Sequence, residues 1–163
     1  MWFPRLASDR VLRARPFDGP FALSLRQSNS DRLYCLNERA EGQGLRHGMA
    51  LSEARAFCPD LHVRTADPAA DARQLAVLRR WSMGYCPWVG PEGQDGLVLD
   101  ISGSAHLHGG EAALLAGMQK RLARAGFGMR AGLADTRGAA WALAHFSPGI
   151  AAPGATREAL APL

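Results

Sequence analysis

The stretch from Asp95 to Glu111, Asp-Gly-Leu-Val-Leu-Asp-Ile-Ser-Gly-Ser-Ala-His-Leu-His-Gly-Gly-Glu, constrains the fold more than any other part of the chain. Its apolar run, Leu97, Val98 and Leu99, starts at a Gln94-Asp95-Gly96 turn and stops at Ser102-Gly103, the punctuation of a short buried strand. One carboxylate, Asp95, stands at the start of this central strand and another, Asp100, lies within it. A strand so equipped presents acidic groups at a sheet edge, where metal-dependent chemistry sits. From Gly110 an amphipathic helix follows, with Leu114, Leu115, Met118 and Leu122 on one face, Lys120, Arg121 and Arg124 on the other, and Gly126 as its stop.

The other elements are read around that pair. Met1-Trp2-Phe3 is a first strand that, with Pro4 unable to donate to a ladder, must end early or lie at a bulge, and a basic, weakly helical run covers Leu6 to Arg15. Phe21 to Arg26 alternates, with Phe21, Leu23 and Leu25 on one face, and Arg32 to Asn37 returns as a hairpin. Glu38 to Gly48 is polar and glycine-rich and leads into a short helix over Met49 to Phe57, which Pro59 closes. A strand at Leu61 to Arg64 precedes a helix with Asp67 as N-cap, Pro68 at its first position and Leu75, Leu78 and Ser82 or Trp81 at turn spacing. Pro87 to Gly93 is a strand and turn, Met129 to Ala134 a strand, and Asp135 or Thr136 caps a helix through Phe146. After Pro148 the tail is small and polar, with a further helix beginning at Arg157 to Leu160. Helices that connect antiparallel and parallel strands of one sheet give an α+β, ferredoxin-like split βαβ arrangement.

Composition narrows the class without naming a function. The 163 residues, 47% of them apolar, suffice for one folded unit. A net charge of +4 suits a polyanionic partner, yet Lys120 is the only lysine, so the basicity is an arginine coat that a solvated surface explains equally well. Cys35, Cys58 and Cys86 are odd in number and far apart, which indicates neither a disulfide framework nor a zinc knuckle but a reduced, cytoplasmic protein. Arg5, Asp9 and Arg10 interrupt the apolar start before a signal or membrane segment develops.

Asp95-Gly96-Leu97-Val98-Leu99-Asp100-Ile101-Ser102, preceded by Leu45 to Ala54 and followed by Gly132-Leu133-Ala134-Asp135-Thr136, resembles the palm and fingers of Y-family translesion DNA polymerases. Pro4-Arg5-Leu6, Pro87-Trp88-Val89, Leu99 to Gly103, His106-Leu107 with Gly109-Gly110-Glu111, and Ala134-Asp135-Thr136 with Ala139 to Ala142 resemble its ImuB branch, the polymerase-like mutasome subunit. The resemblance implies a palm over residues 1–37 and 59–147, a small helical fingers insertion over 38–58, and a linker towards a thumb from 148. The thumb, little finger and clamp-binding segment that follow in the family have no counterpart here, so a fragment or truncated reading frame is expected, with weak DNA grip.

Departures from the polymerase pattern point away from catalysis. The family holds two magnesium ions with three carboxylates; Pro4 stands at the first-strand position and the Asp-Glu pair has become Asp95-Gly96, so Asp95 is the residual palm carboxylate. One carboxylate does not hold two cations about 4 Å apart. Glu38 and Glu41 stand where the fingers offer a tyrosine and an arginine to the triphosphate, and Trp141 stands for a phosphate-facing lysine. No catalytic residue, bound metal or cofactor is therefore expected. The resemblance implies a scaffold in damage tolerance and induced mutagenesis that joins the sliding clamp, an error-prone replicative-type polymerase and an ImuA-like protein. An active lesion-bypass polymerase, with Asp9 replacing a lost ligand, is the alternative, followed by a nucleotide cyclase, since Gly109-Gly110-Glu111 is also a cyclase signature in that other palm-fold class.

Each feature also has a purely structural reading. Asp95 serves as a turn residue, and Asp100 as a structural carboxylate that satisfies backbone donors at the strand end. His106 and His108 near Cys86 lack a third metal ligand at suitable spacing. Trp2, Trp81, Trp88 and Trp141 are expected in core or inter-lobe packing rather than as base-stacking platforms.

Overall fold

The computed structural model describes residues 1–163, and the chain folds as two compact units, residues 5–72 and residues 1–4 with 73–163.

In the unit of residues 5–72, α1 (Leu6–Ala14) precedes the hairpin of β1 (Phe21–Gln27) and β2 (Ser30–Leu36). Two short helices follow, α2 (Glu38–Gly42) and α3 (Leu51–Phe57), and then β3 (His62–Thr65). β1 pairs antiparallel with β2, with an extra residue where the register shifts after Leu23, and parallel with β3. Phe21, Ala22 and Leu23 are all fully buried. Both faces of the sheet are therefore covered: Phe21, Leu23 and Cys35 pack with Ala7 of α1, while Ala22, Leu33 and Leu36 pack with Ala40 of α2 and Ala54 of α3. The polar segment after Asn37 is helical because the Asn37 side chain accepts from the Ala40 amide at 2.9 Å, and its own amide group is fixed by donation to the Gly19 carbonyl at 2.8 Å. Arg10 donates to the nearly buried Asp71 at 2.7 Å, which ties α1 to the first turn of α4 (Pro68–Ser82). Asp67 caps α4 as expected, accepting from the Ala70 amide at 2.9 Å.

The second unit holds β4 (Trp88–Glu92) and β5 (Gly96–Asp100), a 3-10 turn over Ala105–His108, α5 (Glu111–Arg124), β6 (Gly132–Leu133), α6 (Arg137–Phe146), β7 (Gly149–Ile150) and α7 (Thr156–Leu160). β4 and β5 form an antiparallel hairpin, and β6 pairs parallel with β7. Between β5 and the chain leading to β6 lies Met1-Trp2-Phe3, with Trp2 bridged antiparallel to Gly96 on one side and to Arg130 on the other. The order β5, α5, β6 with a foreign segment between the two strands is the split βαβ unit. Leu114, Met118 and Leu122 are the buried stripe of α5, and Leu75, Leu78 and Ser82, not Trp81, are that of α4.

One expectation changes. The strands do not share one hydrogen-bonded sheet; the β1–β2 hairpin pairs with β3 alone, because apolar residues on both of its faces give it a core of its own. The tail after Pro148, which ends in α7, is fastened to β6. Gly149 and Ala151 donate to the carbonyls of Ala131 and Leu133, and Asp135 accepts from the Gly154 amide at 2.8 Å. Asp135 is thereby committed to the tail, and Thr136 caps α6. No helix is long and apolar enough to cross a membrane.

Gly132 marks the closest approach of strand and helix. A Cβ there would lie 2.2 Å from the Ala140 carbonyl oxygen and 2.6 Å from the Ala144 nitrogen, both backbone atoms that cannot swing away. We expect Gly132→Ala to cost about 2–3 kcal/mol of stability, read as a lowered urea midpoint with an unchanged slope; a loss below about 0.5 kcal/mol would show that α6 shifts freely.

Candidate functional site

β5 delivers the two carboxylates to opposite ends of one short strand, and the structure gives them different work. Asp100, exposed at the far end, accepts from the Ser102 amide at 3.0 Å, and bonding to Ser102 holds its carboxyl below the usual range. It is a strand-terminating group, as the sequence indicates. Asp95, at the near end, accepts from the Trp2 indole N–H at 2.9 Å, while its carbonyl accepts from the Phe3 amide at 2.8 Å. Asp95 is therefore fixed to the segment that runs beside it.

Trp2 is the centre of a larger cluster. Its ring stacks on His145 of α6 at 4.2 Å between centroids, and His145 stacks on Trp141 at 4.1 Å. The Arg130 guanidinium lies 5.3 Å from the Trp2 ring centre, a cation–π distance. His145 Nδ1 is 2.9 Å from the Trp141 carbonyl oxygen one helical turn earlier, which orients the imidazole between the two indoles. On the same side Arg137 pairs with Glu92, whose carboxyl that contact holds below its usual range. None of Arg130, His145 or Glu92 is marked by a local motif; Trp141 four residues before His145 on one helix is the one signal in the sequence.

Gly96, the next residue, is closed to side chains. A Cβ there would sit 2.6 Å from the Glu92 carbonyl oxygen and 3.3 Å from that of Met1. No three His, Cys, Asp or Glu side chains converge in a way that would hold a metal ion. His108 instead lies against the Tyr85 ring at 5.2 Å, and Cys86 is buried with its thiol directed at the Trp88 carbonyl.

In the other unit, Glu38 and Glu41 lie on α2 and both face Arg5, at 3.8 and 2.9 Å. These exposed pairs contribute little stability, roughly 0–1 kcal/mol each. Their chemical effect is larger: Arg5 is already partnered by both carboxylates, and Arg39, between them on α2, pairs with Asp18.

The expectation for the tryptophans needs correction at two positions. Trp2 and Trp81 are partly buried, the latter edge-on to Tyr85, but Trp88 is 73% exposed and Trp141 43%. Alternation along β4 turns Val89 inward and Trp88 out, and Trp141 lies at the open end of the stack.

Residues 8–145 match the impB/mucB/samB family. The chain belongs to that family. Within this UmuC-like, Y-family group, it is 49% identical over 122 residues to Protein ImuB of Caulobacter vibrioides, in strains NA1000 / CB15N and ATCC 19089 / CIP 103742 / CB 15. The match covers 74% of this chain and 27% of those proteins, so the chain spans about a quarter of the length of these relatives. Among solved structures it is similar to the post-insertion binary complex of Dbh DNA polymerase, with a TM-score of 0.85, 14% identity, and coverage of 96% of this chain and 48% of that one. The insertion ternary complex of the same polymerase gives 0.78 at 15% identity, covering 91% and 46%. The fold is accordingly the α+β, palm-like fold of the Y family.

A side chain at residue 96 would meet backbone. We expect Gly96→Ala to lose about 1–3 kcal/mol and Gly96→Glu at least as much, measured by urea unfolding, because the obstacle is the Cβ itself; a Gly96→Glu chain as stable as the parent would show that the Glu92 carbonyl yields.

Proposed function

We propose that this chain is a non-catalytic, polymerase-like protein of DNA-damage tolerance, acting in DNA repair, translesion synthesis and damage-induced (SOS) mutagenesis as a scaffold rather than as a nucleotidyl transferase. The observation that carries this reading is the hydrogen bond from the Trp2 indole to Asp95 beside the sterically closed Gly96. In-line phosphoryl transfer by this family's chemistry needs two cations held about 4 Å apart against their mutual repulsion. Asp95 alone, with one oxygen already accepting from Trp2, does not fit such a pair, and Asp100 is engaged at the other end of the strand. Magnesium is therefore not assigned to this site.

The triphosphate side supports the same reading. Glu38 and Glu41 bring negative charge to the segment that we assign as fingers-like, residues 38–58, and Arg5 is already paired with both. Trp141 offers an aromatic face where a cation would meet phosphate. We assign residues 1–37 and 59–147 as palm-like and 148–163 as the start of the connection beyond it. The partners proposed for the whole protein are an error-prone replicative-type DNA polymerase, the sliding clamp and an ImuA-like protein, in the cytoplasm, with weak DNA contact by this portion.

The test is calorimetric titration of magnesium with a deoxynucleoside triphosphate into the chain, together with primer extension in magnesium or manganese. We expect no metal-dependent heat at micromolar nucleotide and no added nucleotide. Micromolar binding with extension would overturn the reading in favour of an active lesion-bypass polymerase; nucleotide binding without use of a primer would favour a cyclase-like enzyme.

A further inference from the structure

The end of the β4–β5 hairpin away from Asp95 carries large apolar side chains that the fold leaves in water. Trp88, the first residue of β4, pairs with Asp100, the last of β5, and the 3-10 turn over Ala105–His108 follows. Trp88 is 73% exposed and Leu107, within that turn, 72%, the two highest values among the large apolar residues of the chain. Tyr85 links the strand to the turn. His108 lies against its ring at 5.2 Å, and Cys86, the next residue, donates its thiol hydrogen to the Trp88 carbonyl. The Arg121 guanidinium of α5 lies 5.9 Å from the centre of the same ring.

Two side chains of this size held in water forgo the gain that burial would give. Tryptophan, tyrosine and arginine side by side are also the residues on which protein contacts are centred. The charges decide which surface fits. Asp100, beside Trp88, and Arg121, on Tyr85, are both exposed and neither has an ion-pair partner. The Ser102 amide fixes the Asp100 carboxylate without neutralising it. An acidic protein surface or a phosphate backbone would meet Arg121 well but set like charge against Asp100. A surface with one anion and one cation flanking an apolar centre is instead complementary to itself after a half-turn.

We propose that this patch is the contact between two copies of the chain related by a twofold axis. Trp88 and Leu107 of each copy meet at the centre, and Arg121 of each copy pairs with Asp100 of the other. The contact lies at the far end of the hairpin from Asp95, so it is independent of the chemistry at that carboxylate. Few side chains take part, against the roughly 20–30 residues a side of a standard interface, so the pair is reversible and forms at high protein concentration.

The experiment is sedimentation equilibrium between about 10 and about 500 µM. It compares the chain with Arg121→Asp, with Asp100→Arg, and with an equimolar mixture of those two variants. The expected result is a rise towards the dimer mass for the parent and association at least ~10-fold weaker for each variant alone, because like charges then face each other at both ends. The mixture regains the association of the parent, since every aspartate again meets an arginine. Leu107→Ser weakens association at least ~10-fold with an unchanged melting temperature. A parent chain that stays monomeric throughout would overturn the proposal and leave the patch to a different protein. So would association that the single variants retain, or that their mixture fails to restore, since either result places the contact elsewhere.

Discussion

The unit of residues 1–4 and 73–163 is fastened by its own first three residues, which lie far in sequence from the rest of it. Met1-Trp2-Phe3 is hydrogen-bonded to β5 on one edge and to Arg130 on the other, so it closes a βαβ unit whose two strands have no contact of their own at that level. The side chain at the middle of the segment adds a second layer of fastening: indole N–H to Asp95, ring to His145, ring face to Arg130. Removing the segment would expose two strand edges and leave the Asp95 carboxylate and the His145 imidazole without these partners. Backbone pairing over so few residues is weak by itself, and the aromatic stack is what gives it a fixed position.

That anchoring supports the proposed reading, in which Asp95 does no metal chemistry. A metal-binding aspartate must keep its oxygens free and directed outward, with further carboxylates close by. Here one oxygen is spent on Trp2, and the neighbouring position is a glycine because the Glu92 carbonyl occupies the space a Cβ would need. In this structure the Glu92 carbonyl and a side chain at residue 96 would compete for the same volume.

Much of this was legible in the sequence wherever the signal is local. Asp67 followed by Pro68, the Leu114-Met118-Leu122 stripe, the Asp95-Gly96 turn and the early stop at Pro4 each act within a few residues, and each lies where its chemistry places it. Asp100 was legible for the same reason, since its partner, Ser102, is two residues away. The Trp2–Asp95 bond spans 93 residues, and His145 between two indoles depends on α6 lying against the Met1–Phe3 segment; neither leaves a periodic trace. β7 is two residues long and α2 five, too short to carry a period, and both exist because of what they touch: β6 for the one, the Asn37 side chain for the other.

The same tertiary cause accounts for where the aromatic residues went. A tryptophan's large apolar area argues for burial, but in a stack of three rings only the inner two are partly covered, and the outermost, Trp141, stays 43% exposed beside an exposed Phe146. Its position on α6 is fixed by Gly132, whose lack of a side chain lets the Ala140 carbonyl and the Ala144 amide lie directly on β6. With a larger residue at 132, α6 would stand off the strand, His145 would withdraw from Trp2, and the Trp2 ring would lose the surface that holds it beside Asp95. Strand-to-helix distance, ring stack and carboxylate orientation are thus one linked arrangement, and the orientation of Asp95 depends on how closely α6 lies against β6.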